Sequence, residues 1–244
     1  MTPTPGPPPD VPEPAGIPGT PGAAVPPGTT AAGLLTAVIQ ELSPDADANR
    51  LLPRIAAGEA PREVFAAFVL EQRHILASDR RSFRHLARRS HLEPPVASFF
   101  HTLAEGEALA LGKLEGLAAA CALSRADLAA HEPRAGCQAY PSYVAWLALG
   151  AEPVDVVIAL TANFAAWGSY CATVARAMRE RYAFPDDACG FFDFFAEPDP
   201  ALAERARAAV EHGLAAGRVT PACARRYGRL LQSYEIMFWS ALSP

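Results

Sequence analysis

Apolar positions along this chain recur at i, i+3, i+4 and i+7, the spacing of a helix face, and no stretch alternates with period two. Over Ala31–Leu42, the residues Leu34, Leu35, Val38, Ile39 and Leu42 form one stripe. A short helix is predicted around Ala48–Ala57 and is stopped by Gly58. Pro61, acceptable in a first turn, opens a long helix to about Arg89. Pro94 and Pro95 open another that reaches Leu123, and Ser124 caps a short helix with Asp127 in the capping-box position. Gly136–Leu149 is next, ended by Gly150, and Pro153 starts a long helix to about Arg181. A short aromatic segment from Gly190 to Phe195 precedes Pro198 and Pro200, and helices over about Pro200–Ala216 and Pro221–Leu242 finish the chain. With no hairpin signal and no internal repeat, the predicted fold is all-α, a multi-helix bundle whose helices wrap one another.

The first 30 residues break this pattern. They hold eleven of the 24 prolines and only two charges, Asp10 and Glu13. Such a stretch cannot bury a core, so a disordered or polyproline-like tail over 1–30 and one helical domain over 31–244 are expected. The tail has neither a basic start nor an apolar run, as a secretory signal would. Val156 to Ala175 is uncharged and long enough to span a bilayer, but Thr161, Asn163, Ser169 and Thr173 suit a buried central helix better. Five scattered cysteines without a CxxC pair support neither a disulfide framework nor a zinc site and are read as reduced thiols. A cytoplasmic protein is expected, with no membrane partner. The net charge of −5 argues against a nucleic-acid partner. The basic run Arg80, Arg81, Arg84, Arg88 and Arg89 reads as the solvated end of a helix, where positive charge complements the dipole.

Chemistry is signalled by polar residues inside apolar stripes. On the last helix Leu231, Glu235, Phe238 and Leu242 share a face, so Glu235 points into or beside a core. With no salt-bridge partner in sequence reach, its pKa should be raised. It is either a structural glutamate bonded to a buried Arg or a helix end, or a proton donor and acceptor. On the Pro61–Arg89 helix Gln72 and Asp79 lie seven residues apart on the stripe of Phe65, Phe68, Ile75 and Phe83. Both are either satisfied core residues or lining of a cavity, and as a core residue Asp79 would be a simple partner for an Arg. On the uncharged helix Asn163, Trp167 and Cys171 share a face, and a buried Asn needs hydrogen bonds. Three polar groups from three helices among aromatics describe a small-molecule pocket between bundle helices.

The runs Phe65-x-x-Phe68-x-x-x-Gln72, Gln138-x-Tyr140-x-x-Tyr143, Ala159-x-x-x-Asn163-x-x-x-Trp167, Phe191-x-x-x-Phe195 and Tyr234-Glu235-x-x-Phe238-Trp239 resemble, in order and separation, the TenA/THI-4 (thiaminase II) and PqqC-like proteins of the haem-oxygenase-like superfamily. The resemblance covers about residues 34–242. It implies a haem-oxygenase-like bundle, a homo-oligomer, and a pocket in which Glu235 aligns with the family's acid/base glutamate and Tyr140 with a pocket tyrosine. It also implies departures: Asn163 stands where the family has its cysteine nucleophile, Gln72 where an aspartate holds the aminopyrimidine, and Trp167 and Phe195 where it has tyrosines. Asn cannot act as a thiolate-type nucleophile. The superfamily's iron oxidases carry Glu-x6-His and His-x3-Asp-x2-His sets that none of the six histidines here completes, so no metal and no other cofactor is expected.

The expected function is binding of a small heteroaromatic, such as an aminopyrimidine of thiamine salvage, and its hydrolysis by a cysteine-independent Glu235 route. Gln72, Tyr140, Asn163, Trp167 and Phe195 would then bind substrate. The alternative is a non-catalytic ligand- or partner-binding, regulatory member that has lost the nucleophile.

Overall fold

A computed structural model describes residues 25–45 and 47–243. Most of the Pro-rich stretch expected to be a tail therefore lies outside the described residues. Ten helices follow one another: α1 (Ala31–Glu41), α2 (Leu51–Ala57), α3 (Glu63–Arg89), α4 (Pro94–Ala120), α5 (Arg125–Ala130), α6 (Ala135–Gly150), α7 (Pro153–Glu180), α8 (Asp186–Ala196), α9 (Pro200–Ala215) and α10 (Pro221–Leu242). There is no strand among the described residues, and the fold is all-α.

Local chemistry sets the ends. Thr30 caps α1 by accepting from Gly33 N, and Val25 packs on the core beside it, so order begins before Ala31. Asn49 accepts from Leu51 N and Leu52 N at 3.2 and 3.1 Å, which starts α2 three residues later than the apolar pattern suggests. Gly58, at φ 77°, ends it in the left-handed region that glycine tolerates. Helix α4 stops at Ala120 because Ala122 turns left-handed and Leu123 N donates back to Ala118 O. Ser124 and Asp127 form the expected reciprocal capping box at α5. The aromatic segment is itself helical, forming most of α8. Its N-terminal turn presses on α4 at Gly116, where a Cβ would collide with the Asp187 carbonyl.

Two apolar cores result. One joins α1, the end of α3, the start of α4, and parts of α6, α7, α9 and α10 around Phe99, Phe100, Leu147 and Ile158. The other joins α2, the start of α3, the end of α4, α7, α8 and the end of α10 around Phe65, Phe68, Phe191 and Trp239. Helix α7 is long and apolar enough to cross a membrane by length and composition. Here it packs on α1, α2, α8, α9 and α10, and Val156 to Leu160 are fully buried. Tyr140 packs against both cores, and the middles of α3, α4, α6, α7 and α10 meet at that waist.

Candidate active site

The waist holds a cavity of about 60 Å³, lined by Gln72, Asp79 and Phe83 from α3, Glu107 from α4, Tyr140 from α6, Asn163, Phe164 and Trp167 from α7, Phe195 from α8, and Glu235 and Phe238 from α10. All six residues singled out from the sequence, Gln72, Tyr140, Asn163, Trp167, Phe195 and Glu235, line this one space. It is smaller than the roughly 150 Å³ that admits a benzene ring in a protein interior. A ring enters only if a wall gives, and the part-buried pair Trp167 and Phe195, edge-on with centroids 5.9 Å apart, is the least enclosed aromatic contact there.

Glu235 is 4% exposed. Neither an Arg nor a helix end holds it. Asn163 Nδ2 donates to one oxygen at 2.6 Å, and Trp239 Nε1 to the other at a long 3.4 Å. Burial raises its carboxyl to about 7 against the pull of these two donors. Asn163 is the hub of the network: Tyr140 Oη donates to its Oδ1 at 2.8 Å, and its Nδ2 also reaches Gln232 Oε1 at 3.4 Å. The amide thus joins α6, α7 and α10 and satisfies the buried polar group that the α7 stripe otherwise strands. Gln232 went unread in the sequence, although it precedes Glu235 by three residues on the same face.

Of its two readings, Asp79 takes the cavity lining and not the Arg partner. Among the described residues no arginine forms a salt bridge with it, and its buried Oδ1 has no hydrogen-bond partner. Arg81 and Arg84 on the next turns are exposed instead. What shares the cavity with Asp79 is a second acid, Glu107, which sequence reading missed. Burial pushes Asp79 up to about 8, opposed by Arg81, and pushes Glu107 well above the usual carboxylate range, helped by Asp79. The same acids and Glu235 add to burial in raising the Tyr140 hydroxyl.

No cysteine lines the cavity. Cys171, two turns from Asn163, is fully buried, and burial and then Glu235 keep its thiol protonated. Cys137 is fully buried as well, its thiol raised to about 12 by burial and the nearby Glu71. All five thiols are free. Among the described residues no three His, Cys, Asp or Glu side chains are disposed to hold a metal ion. His131 instead binds Glu71, which also accepts from Arg134 N and so ties the start of α6 to α3.

An all-α bundle with a buried acid at the meeting point of five helices defines the class, and comparison with known proteins gives the family. The chain belongs to the TENA/THI-4/PQQC family, whose sequence model matches residues 51–242. Among solved structures it is similar to the TenA homologue protein from P. horikoshii OT3, with 14% identity and a TM-score of 0.64, covering 88% of this chain and 98% of that one. A TenA homologue from Pyrococcus furiosus gives 16% identity and a TM-score of 0.63, over 86% of this chain and 98% of that one. A domain of unknown function with a heme oxygenase-like fold from Shewanella denitrificans OS217 gives 16% and 0.60, over 86% and 89%. At these identities the likeness shows the fold, which is haem-oxygenase-like. No curated protein matches the sequence.

Proposed function

We propose that this protein binds a small heteroaromatic in the waist cavity and hydrolyses it without a cysteine nucleophile, with Glu235 as the acid/base group. Membership of the TENA/THI-4/PQQC family supports a function related to thiamine salvage in general, and an aminopyrimidine is the substrate class that follows. The observation that carries the reading is Glu235: buried, aimed into a cavity, held by an amide rather than a cation, and ionising near neutrality. A base working at neutral pH needs a pKa close to that pH. The Glu235 carboxylate would take a proton from water as the water oxygen bonds to a ring carbon. The resulting carboxylic acid would return the proton to the departing exocyclic nitrogen, so that one C–O bond forms, one C–N bond breaks and ammonia leaves. Gln72, Asn163 and Tyr140 would orient the ring between Trp167 and Phe195. In this reading the chain acts in the cytoplasm as a homo-oligomer, with no nucleic-acid or membrane partner.

A binding-only role has one observation in its favour: no cysteine lines the cavity, so the nucleophile that the resemblance implies is missing from it. Ammonia release from an aminopyrimidine separates the two. Glu235→Gln should abolish turnover while ligand binding stays near wild type, and iodoacetamide should leave turnover intact. Loss of activity on alkylation, with ligand protecting one cysteine, overturns the cysteine-free route. Tight binding with no turnover by the wild type selects the binding role.

A further inference from the structure

Three acids, Asp79, Glu107 and Glu235, line the cavity, and no lysine, arginine or histidine does. Glu235 has its donors, but the Asp79–Glu107 end does not. Asp79 is 4% exposed with a buried Oδ1 that accepts nothing. Gln72, 5% exposed and two turns away on the same stripe, likewise presents a buried Oε1 with no partner. An unpaired buried acceptor costs free energy, and among the described residues Asp79 and Gln72 are the ones with such an atom that line the cavity. The two donors of the cavity network are spoken for: the Tyr140 hydroxyl goes to Asn163, and the Asn163 amide to Glu235 and Gln232. What the cavity lacks is positive charge, set against aromatic walls.

We propose that Asp79 and Glu107, in the cavity that Gln72 also lines, form a subsite for a cationic N–H-bearing group of the ligand, such as an amidinium, guanidinium or protonated amine. Two carboxyl groups on one cavity can accept the N–H groups of a cation that draws off their protons, and such charge-assisted bonds are the strong ones in a low-dielectric site. A planar cation also gains from Trp167 and Phe195. Ligand charge thereby becomes the selective feature: a cation favours the ionised form of these buried acids, whereas a neutral ring of the same shape leaves them protonated. The inference rests on the cavity being a ligand pocket but not on Glu235 being catalytic.

Matched probes of equal shape test it, acetamidinium against acetamide and benzamidinium against benzamide, titrated into the purified full chain at neutral pH by calorimetry or ligand-observed NMR. In at least one pair the cation should bind roughly tenfold or more tighter than the neutral amide. Asp79→Asn and Glu107→Gln should each shrink that advantage to about threefold or less, with the helical circular dichroism unchanged; if one variant fails to fold, the other decides. Glu235→Gln should leave the cation preference in place, so a failure of the hydrolytic reading does not touch this one. Equal or tighter binding of the neutral amides, no binding by any of the four probes, a preference that survives both acid variants, or its loss in Glu235→Gln instead would each overturn the assignment.

Discussion

Replacing Glu235 by Gln keeps the shape of the side chain and removes one titrating group, which makes the pH dependence of stability a direct reading of its environment. In the folded protein burial raises the carboxyl from its ordinary 4.5 to about 7, against the hydrogen bonds from Asn163 and Trp239. The unfolded chain releases this proton near the ordinary value. Between the two values the folded state therefore binds more protons than the unfolded one, and stability falls as pH rises. Below 4.5 both states are protonated and Glu235 costs nothing. Above about 7 both are ionised and the full penalty of burying the carboxylate is present. The separation corresponds to roughly 3 kcal/mol, an order-of-magnitude figure. Urea melts of wild type and Glu235→Gln at matched pH should give a stability difference that shifts against wild type by about that amount across the window. Asp79, raised in the same sense, is present in both proteins and cancels to first order. A difference that stays flat, or that favours wild type more as pH rises, would refute the argument, since the carboxylate would then be solvated or paired in a way the geometry does not show.

The remaining predictions concern the frame around the site. Truncation to residue 30 should cost about 1 kcal/mol more than truncation to residue 24, because it removes the Thr30 cap and Val25; equal melting points would show that neither contributes. Gly116→Ala should destabilise by about 1–3 kcal/mol and disturb Trp167 fluorescence, because the new methyl pushes the α8 backbone and with it Phe195. Native-like urea and fluorescence profiles would mean that α8 slides freely on α4. The proposed homo-oligomer is expected to use the strip on α6 and α10 where Trp146, Leu149 and Met237 are 42, 73 and 45% exposed. Light scattering that shows only a 25.8 kDa species at micromolar concentration would refute self-association.

What could be read from the sequence follows from where helix rules are sharp. Pro221 and Leu242 bound α10 as the pattern predicts, since a proline in the first turn and an unbroken stripe leave no other phase. Gln72, Asn163 and Glu235 stand out because each interrupts a stripe of large apolar side chains, and a polar group there needs an account. Helix α8 is harder: in Gly190 to Phe195 four aromatics in six residues fill every face, so no period distinguishes an inward Phe191 from the cavity-facing Phe195.

The acid pair was least legible, and the reason is physical. Glu107 sits two residues after Glu105, and the two look alike in sequence. Only helix phase separates them: Leu103, Glu107, Ala110 and Leu114 lie at i, i+4, i+7 and i+11, while Glu105 falls a half-turn away and is exposed. That phase was there to be read, but an acid beside a glycine in Glu105-Gly106-Glu107 reads as surface. Asp79 misleads in the opposite way, for Arg80, Arg81 and Arg84 follow it closely in sequence, yet at i+1, i+2 and i+5 none holds the i+3 or i+4 position from which unlike charges pair on a helix. Helix geometry decides against it. A side chain on the stripe of Gln72, Ile75 and Phe83 points inward, and Arg81 and Arg84 point out. No local rule tells a sequence reader that two acids on adjacent helices line one cavity, because placing them together is unfavourable to the fold by itself. Such a pair persists where something outside the chain uses it, and that is why it belongs to the site and not to the scaffold.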